Sequence, residues 1–90
     1  MMTATFDTKT ALFVDVRTEA EYQGGHKDGA LNIPLHELPY RLSEIKGLGK
    51  EPVVFYCRSG NRSGQAVSYL QQQGFGNIYN GGSLEEALAL

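Results

Sequence analysis

The sequence predicts an α/β protein in which a small parallel sheet is covered by helices on both faces. Short apolar runs rich in β-forming residues alternate along the chain with segments that carry helix signals, and this alternation is typical of parallel sheets. The run Val53-Val54-Phe55-Tyr56 is apolar throughout, as expected for a central strand with both faces buried. The ligands of such sheets bind beyond the carboxyl ends of the strands, so the residues that follow each strand are the candidates for function.

The first third of the chain contains two predicted strands and one short helix. Residues 12–16 form the first strand. Thr18 and Glu21 have the spacing of a capping box, which predicts a helix start, and the glycines at 24–25 end this helix. Residues 30–33 form the second strand.

A second helix signal follows the second strand. Pro34 ends that strand because proline cannot donate to a strand ladder, and Pro39 fits the first turn of a helix. Gly47 and Gly49 stop this helix. Three apolar residues fall on its inner face: Leu38, Leu42 and Ile45.

The last part of the chain repeats the alternation after the central strand. A helix is predicted over residues 62–73, with Gly74 as its C-terminal stop. Residues 77–79 form a last short strand, and Gly81-Gly82 turns the chain. The closing helix begins with a second capping-box spacing, formed by Ser83 and Glu86.

Composition limits the function classes. Ninety residues make one domain, and a formal net charge of −2 gives no basic footprint for nucleic acid or an anionic membrane. A single cysteine excludes an internal disulfide, and two distant histidines form no zinc pattern, so we expect no metal and no cofactor. We expect a monomer.

The apolar runs are too short to span a bilayer, and the N-terminus lacks the pattern of a signal peptide. We therefore expect a cytoplasmic protein, where a reducing environment keeps a reactive thiol usable. A periplasmic protein whose signal had been removed would have the same sequence pattern.

Cys57 lies where the central strand meets a basic, glycine-containing turn that leads into a helix. Unpaired backbone N–H groups at a helix N-terminus favour an anion, so they lower the pKa of a thiol placed there. Arg58 and Arg62 add positive charge that stabilises a thiolate and attracts an anionic substrate. We assign both arginines to loop charge and donor binding, with Arg62 the stronger candidate because it closes the turn.

A lone cysteine at a strand end is often simply buried, but the turn and the arginines favour a nucleophile. The other residues of this loop are less distinctive. Ser59, Asn61 and Ser63 fit either the site or the capping of turn backbone groups equally well. Gly60 allows a left-handed backbone or a close approach to the anion.

Asp15 and Arg17 lie at the end of the first predicted strand, so both could reach the rim of the same pocket. A structural ion pair or a hydrogen bond at the helix entry is the simpler interpretation, and we favour it.

The ordered combination of these motifs resembles the single-domain rhodaneses, which are thiosulfate sulfurtransferases. The resemblance covers roughly residues 11–88 and so nearly the whole chain. The motifs that carry it are Asp15-Val16-Arg17, Glu21-Tyr22, Gly25-His26, Gly29-Ala30-x-Asn32-Ile33-Pro34 and Cys57-Arg58-Ser59-Gly60-Asn61-Arg62-Ser63. It implies a rhodanese fold with a five-stranded parallel sheet between helices, and a cysteine persulfide held in a loop whose amides point inward.

The implied reaction is a double displacement on sulfur. The Cys57 thiolate would take the outer sulfur of thiosulfate or a similar donor, and cyanide or a thiol, including a protein thiol, would accept it. Backbone N–H groups from Arg58 to Ser63 would stabilise the persulfide.

Two alternatives of different class stay open. The domain could carry its persulfide to a protein partner, or bind such a partner without turnover. A cysteine phosphatase or arsenate reductase would also suit a thiolate loop with an arginine. In the tyrosine phosphatases that arginine comes six residues after the cysteine, whereas here Arg62 comes five residues after Cys57, which fits sulfane sulfur better than phosphate.

Overall fold

The computed structural model describes residues 8–90 and has a single parallel sheet of four strands. The strands are β1 (Leu12–Asp15), β2 (Leu31–Asn32), β3 (Val53–Cys57) and β4 (Ile78–Ser83). The α-helices are α1 (Glu19–Gln23), α2 (Asn61–Gln72) and α3 (Leu84–Leu88), and two 3₁₀ helices span Leu35–Tyr40 and Leu42–Glu44. The strand order is β2-β1-β3-β4, which places β3 in the interior of the sheet.

The α/β class with a parallel sheet and helices on both faces is confirmed. The strand count is a correction, because four strands lie within residues 8–90 where the resemblance implied five. The stretch Thr3–Phe6, which could also form a strand, lies outside the described residues.

The side chains of β3 alternate between two apolar clusters. Val53, Phe55 and Cys57 belong to the larger cluster, which α2 completes from its own face of the sheet. Val54 and Tyr56 belong to the smaller cluster, to which α3 contributes. All five β3 residues are buried, because both faces of this strand are covered. The period of two therefore directs the Cys57 side chain to the face on which α2 packs.

Both predicted capping boxes are confirmed. Thr18 accepts a hydrogen bond from the Glu21 backbone at 3.2 Å, and the Glu21 carboxylate accepts one from the Thr18 backbone at 3.0 Å. Ser83 and Glu86 make the same reciprocal pair at the start of α3. These contacts fix where α1 and α3 begin, at the end of the sheet where the ligands of parallel sheets bind.

The segment between β2 and β3 forms two short 3₁₀ helices instead of the single helix predicted. Pro39 lies inside the first of them, not in the first turn of an α-helix. Proline has no N–H to donate and its ring clashes with the carbonyl of the residue four positions before it, so an α-helix cannot run through this point. Leu38 and Ile45 are nevertheless buried, as the apolar spacing predicts.

Gly81 and Gly82 belong to β4 and do not form the predicted turn. Phe55 pairs with Asn80 and Tyr56 pairs with Gly82, so Gly81 is an extra residue that makes a β-bulge. A β-carbon at Gly81 would lie 2.6 Å from Val54 Cγ1, so any side chain there would force a buried neighbour to shift. After the bulge, Ser83 of β4 pairs with Cys57 at the end of β3.

Replacing Gly81 with alanine should lower the free energy of unfolding by about 1–3 kcal/mol, because the new methyl group overlaps a buried side chain. Urea denaturation followed by circular dichroism measures this change. Gly76→Ala is the matched control, since a β-carbon there meets nothing within 4 Å. Equal stability of the two variants would contradict the assigned bulge.

Candidate active site

The Cys57 thiol lies at the C-terminal end of β3, beneath the loop that leads into α2. The side chain is fully buried. Its sulfur accepts a hydrogen bond from the Gly60 backbone N–H at 3.0 Å and lies 3.5 Å from the Ser63 hydroxyl oxygen. The loop therefore wraps around the sulfur with a backbone donor pointing inward.

Gly60 makes this wrapping possible. It is the N-cap residue of α2 and has a left-handed backbone with φ of +95°, as the sequence predicted. A β-carbon at Gly60 would lie 3.2 Å from the Gly82 α-carbon. The close approach at Gly60 is thus made by the β4 backbone, and a side chain at this position would strain both the turn and the contact.

The Cys57 pKa is lowered by the hydrogen bonds of the loop. Burial is the largest single influence and raises the pKa, because it penalises the charged thiolate. The Ser63 hydroxyl and the backbone N–H groups of Ser63, Ser59 and Gly60 together outweigh burial. The sequence attributed part of this lowering to the arginines, whereas in the structure the main favourable contributions come from these uncharged donors.

Arg62 of α2 forms an ion pair with a carboxylate of α1. Its guanidinium makes a two-point ion pair with Glu21 of α1, at 2.8 and 3.1 Å. This hydrogen bond raises the pKa of Arg62 and is the largest cause that lowers the pKa of Glu21 to about 2. A donor-binding role for Arg62 stays a prediction, and it would require the guanidinium to serve Glu21 and the donor together.

Asp15 and Arg17 form a buried ion pair, with 2.7 Å between the Arg17 guanidinium and the Asp15 carboxylate. Arg17 also donates to the Gly25 carbonyl oxygen at 2.7 Å. The hydrogen bonds that Arg17 donates to the Asp15 carboxylate raise the pKa of Arg17, although burial opposes this. The structural ion pair favoured from the sequence is therefore present.

A cleft of about 350 Å³ opens at this end of the sheet, between α1 and α3. Its lining consists of Arg17, Ala20, Glu21, Gly24, Gly25, Arg58, Ser83, Leu84 and Glu85. Cys57 is not part of this lining, because its sulfur lies under the loop. We call residues 58–60, between β3 and α2, the thiol loop. Arg58 is the residue of this loop that lines the cleft, and its side chain forms no hydrogen bond or ion pair within residues 8–90.

Two residues of this region were missed as site residues. Glu21 was assigned only as a capping residue, yet it also holds Arg62. Asn80 was not assigned at all, and its side chain contacts both Ser63 and Gly60. Neither contact leaves a local sequence signal, because the partners are 41 and 17 to 20 residues apart.

Over residues 8–90 the structure contains no group of three or more His, Cys, Asp or Glu side chains that could hold a metal ion. In the same part of the chain, no helix is long and apolar enough to cross a membrane.

Comparison with known proteins agrees with the fold. Residues 2–86 match the family described as the rhodanese-like domain, and the chain belongs to this family. A protein of Allochromatium vinosum named as a sulfurtransferase is 50% identical over 74 residues, which cover 82% of this chain and 67% of that protein.

Two further comparisons involve Escherichia coli proteins. The thiosulfate sulfurtransferase PspE is 36% identical over 74 residues, which cover 82% of this chain and 71% of PspE. A solved structure described as a rhodanese with anions from E. coli superimposes with a TM-score of 0.78 at 36% identity, over 84% of this chain and 89% of that one.

The Glu21–Arg62 pair should make stability depend on acid. Because the Glu21 pKa is about 2 in the folded protein against an ordinary 4.5, its contribution is complete above about pH 4.5 and is lost as the pH falls toward 2. We expect the difference in unfolding free energy between the parent and Glu21→Gln to shrink over this range. Urea denaturation at a series of pH values measures it.

Glu19→Gln is the matched control, since Glu19 lies on the same helix and forms no ion pair within the described chain. This variant measures the effect of removing a carboxylate of α1 that forms no such pair. A Glu21→Gln difference that stays constant through the acid range would show that the pair contributes nothing to folding.

Proposed function

We propose that this protein is a sulfurtransferase that moves sulfane sulfur from thiosulfate, or a similar anionic donor, to cyanide or a thiol through a persulfide on Cys57. The observation that carries the proposal is the Cys57 sulfur under the loop, with the Gly60 N–H donated to it at 3.0 Å. A donor in this position stabilises a negative charge on the cysteine sulfur. Membership of the rhodanese family supports the same chemistry.

The reaction divides into two displacements. The Cys57 thiolate attacks the outer sulfur of thiosulfate, the sulfur–sulfur bond of the donor breaks, and sulfite leaves with the bonding electron pair. A persulfide then remains on Cys57. Cyanide attacks its outer sulfur to give thiocyanate, or a thiolate attacks to give a new persulfide, and the Cys57 thiolate is released.

The cleft supports the entry of a small anion. Arg58 is exposed on its wall, and its charge is not neutralised by an ion pair within residues 8–90. Arg17 and Glu21, by contrast, are already paired with Asp15 and Arg62. We assign donor attraction mainly to Arg58, because an unpaired charge beside a cleft raises the local concentration of the opposite charge.

The ion pair between Arg62 and Glu21 argues against the phosphatase alternative. A phosphate ester would need an arginine free to make two hydrogen bonds to its oxygens. The Arg62 guanidinium already makes two to Glu21. We therefore do not extend the proposal to phosphate chemistry, whereas delivery of the persulfide to a protein thiol changes only the acceptor.

Replacing Cys57 with serine should abolish thiocyanate formation from thiosulfate and cyanide, because a serine hydroxyl cannot form a persulfide. The fold should persist, since serine is close in size and can use the same Gly60 and Ser63 partners. A colorimetric thiocyanate assay measures transfer, and thermal unfolding checks the fold. Ser68→Ala, an exposed change on α2, is the control. Substantial transfer by the folded serine variant would refute the proposal.

Arg58 and Arg62 should respond differently to alanine substitution. Arg58→Ala should raise the KM for thiosulfate about tenfold, the scale of one lost charged contact, with little change in stability. Arg62→Ala should lower stability and also raise KM, because it leaves the Glu21 carboxylate unpaired at the cleft. Steady-state kinetics with urea denaturation separates the two. An unchanged KM for Arg58→Ala would return donor binding to Arg62.

A further inference from the structure

The side-chain amide of Asn80 in β4 is held in one orientation by groups on opposite sides. Its oxygen Oδ1 accepts from the Gly82 backbone N–H at 2.9 Å, and its nitrogen Nδ2 donates to the Gly60 carbonyl oxygen at 3.1 Å. A flipped amide would face a donor with a donor and an acceptor with an acceptor. The two backbone groups therefore fix which atom of Asn80 points to the thiol loop.

This orientation determines the direction of the Ser63 proton. Ser63 Oγ lies 2.6 Å from Asn80 Oδ1, and an amide oxygen can only accept, so the Ser63 hydroxyl donates to Asn80. The same hydroxyl oxygen lies 3.5 Å from the Cys57 sulfur. A hydroxyl has one proton, so while Asn80 receives it the serine can only accept from the thiol.

The neighbouring backbone makes room for this arrangement. Gly64 lies one residue beyond Ser63 in α2, and a β-carbon there would come within 3.3 Å of Asn80 Nδ2. Gly64 also donates its N–H to the Gly60 carbonyl oxygen at 3.0 Å. The Gly60 carbonyl therefore keeps its hydrogen bond from Gly64 when the Asn80 side chain is removed. Removing that side chain should thus change the hydrogen bond to Ser63 without unfolding the loop.

We propose that Asn80 is a positioning residue that competes with the Cys57 sulfur for the Ser63 proton. The hydroxyl points to Asn80 while Cys57 is a thiol, and it turns to the sulfur when the sulfur becomes negatively charged. Asn80 thereby opposes ionisation of the resting thiol. This inference rests on the proposed nucleophilic role of Cys57, but its test needs no sulfur donor.

The charged groups at this end of the sheet stay the same when Asn80 is changed. They are Asp15 at the end of β1, Arg17 in the turn that follows it and Glu21 in α1; the thiol loop and α2 contribute Arg58 and Arg62, and α3 contributes Glu85 and Glu86. Within residues 8–90 the Asn80 side chain hydrogen-bonds to Ser63, Gly60 and Gly82 and to none of these charged groups. A difference between variants at Asn80 therefore reports the altered hydrogen bonds.

The test is the pH dependence of Cys57 alkylation by iodoacetamide, followed by intact mass, and the single cysteine makes this readout unambiguous. Asn80→Ala should lower the apparent Cys57 pKa by about one unit, the scale of one hydrogen bond to a charged sulfur. Asn80→Asp keeps the acceptor and adds a negative charge, so it should not lower the pKa.

The decisive comparison is the same Asn80→Ala change made in a Ser63→Ala background. If Asn80 acts through the Ser63 proton, the shift disappears there, because no hydroxyl remains to be released. An equal shift in both backgrounds, or a rise in the pKa on Asn80→Ala, would overturn the proposal. Asn80→Ser replaces Asn80→Ala if thermal unfolding shows that the alanine variant is not folded.

Discussion

The thiol loop depends on the contact between the backbones of Gly60 and Gly82. Gly60 turns in the left-handed region directly against the α-carbon of Gly82, and this turn places its own N–H on the Cys57 sulfur. The bulge at Gly81 is what brings Gly82 to this position beside the end of β3. Three residues without side chains therefore determine where the hydrogen-bond donor meets the nucleophile.

Charge is divided between structure and binding in the same region. The pairs Asp15–Arg17 and Glu21–Arg62 connect the ends of β1, α1 and α2, and each pair neutralises itself. Arg58 stands apart on the cleft wall. The thiolate is thus stabilised mainly by uncharged donors, while attraction of an anionic donor is assigned to a single exposed cation. The Cys57 sulfur therefore has no charged hydrogen-bond partner within residues 8–90.

Local sequence signals predicted the elements and the thiol loop because each depends on neighbouring residues. The capping boxes at Thr18 and Ser83, the apolar run of residues 53–56 and the left-handed Gly60 are all of this kind. The errors have two sources. Pro39 fitted an α-helical first turn by its preferred φ, but it lies inside a 3₁₀ helix, and Gly81-Gly82 resembled a turn because bulges and turns both use glycine. The contacts of Arg62 and Asn80 join distant elements, so no spacing along the chain indicates them.

The proposed function requires that Cys57 carry sulfur covalently between donor and acceptor. The most direct measurement is the intact mass of the protein after incubation with thiosulfate and again after cyanide, with peptide mapping of the adduct. We predict a gain of one sulfur atom located on Cys57, and its loss as thiocyanate when cyanide is added. A folded protein whose thiol is alkylated readily but gains no sulfur from thiosulfate or another sulfane donor would contradict the proposed function.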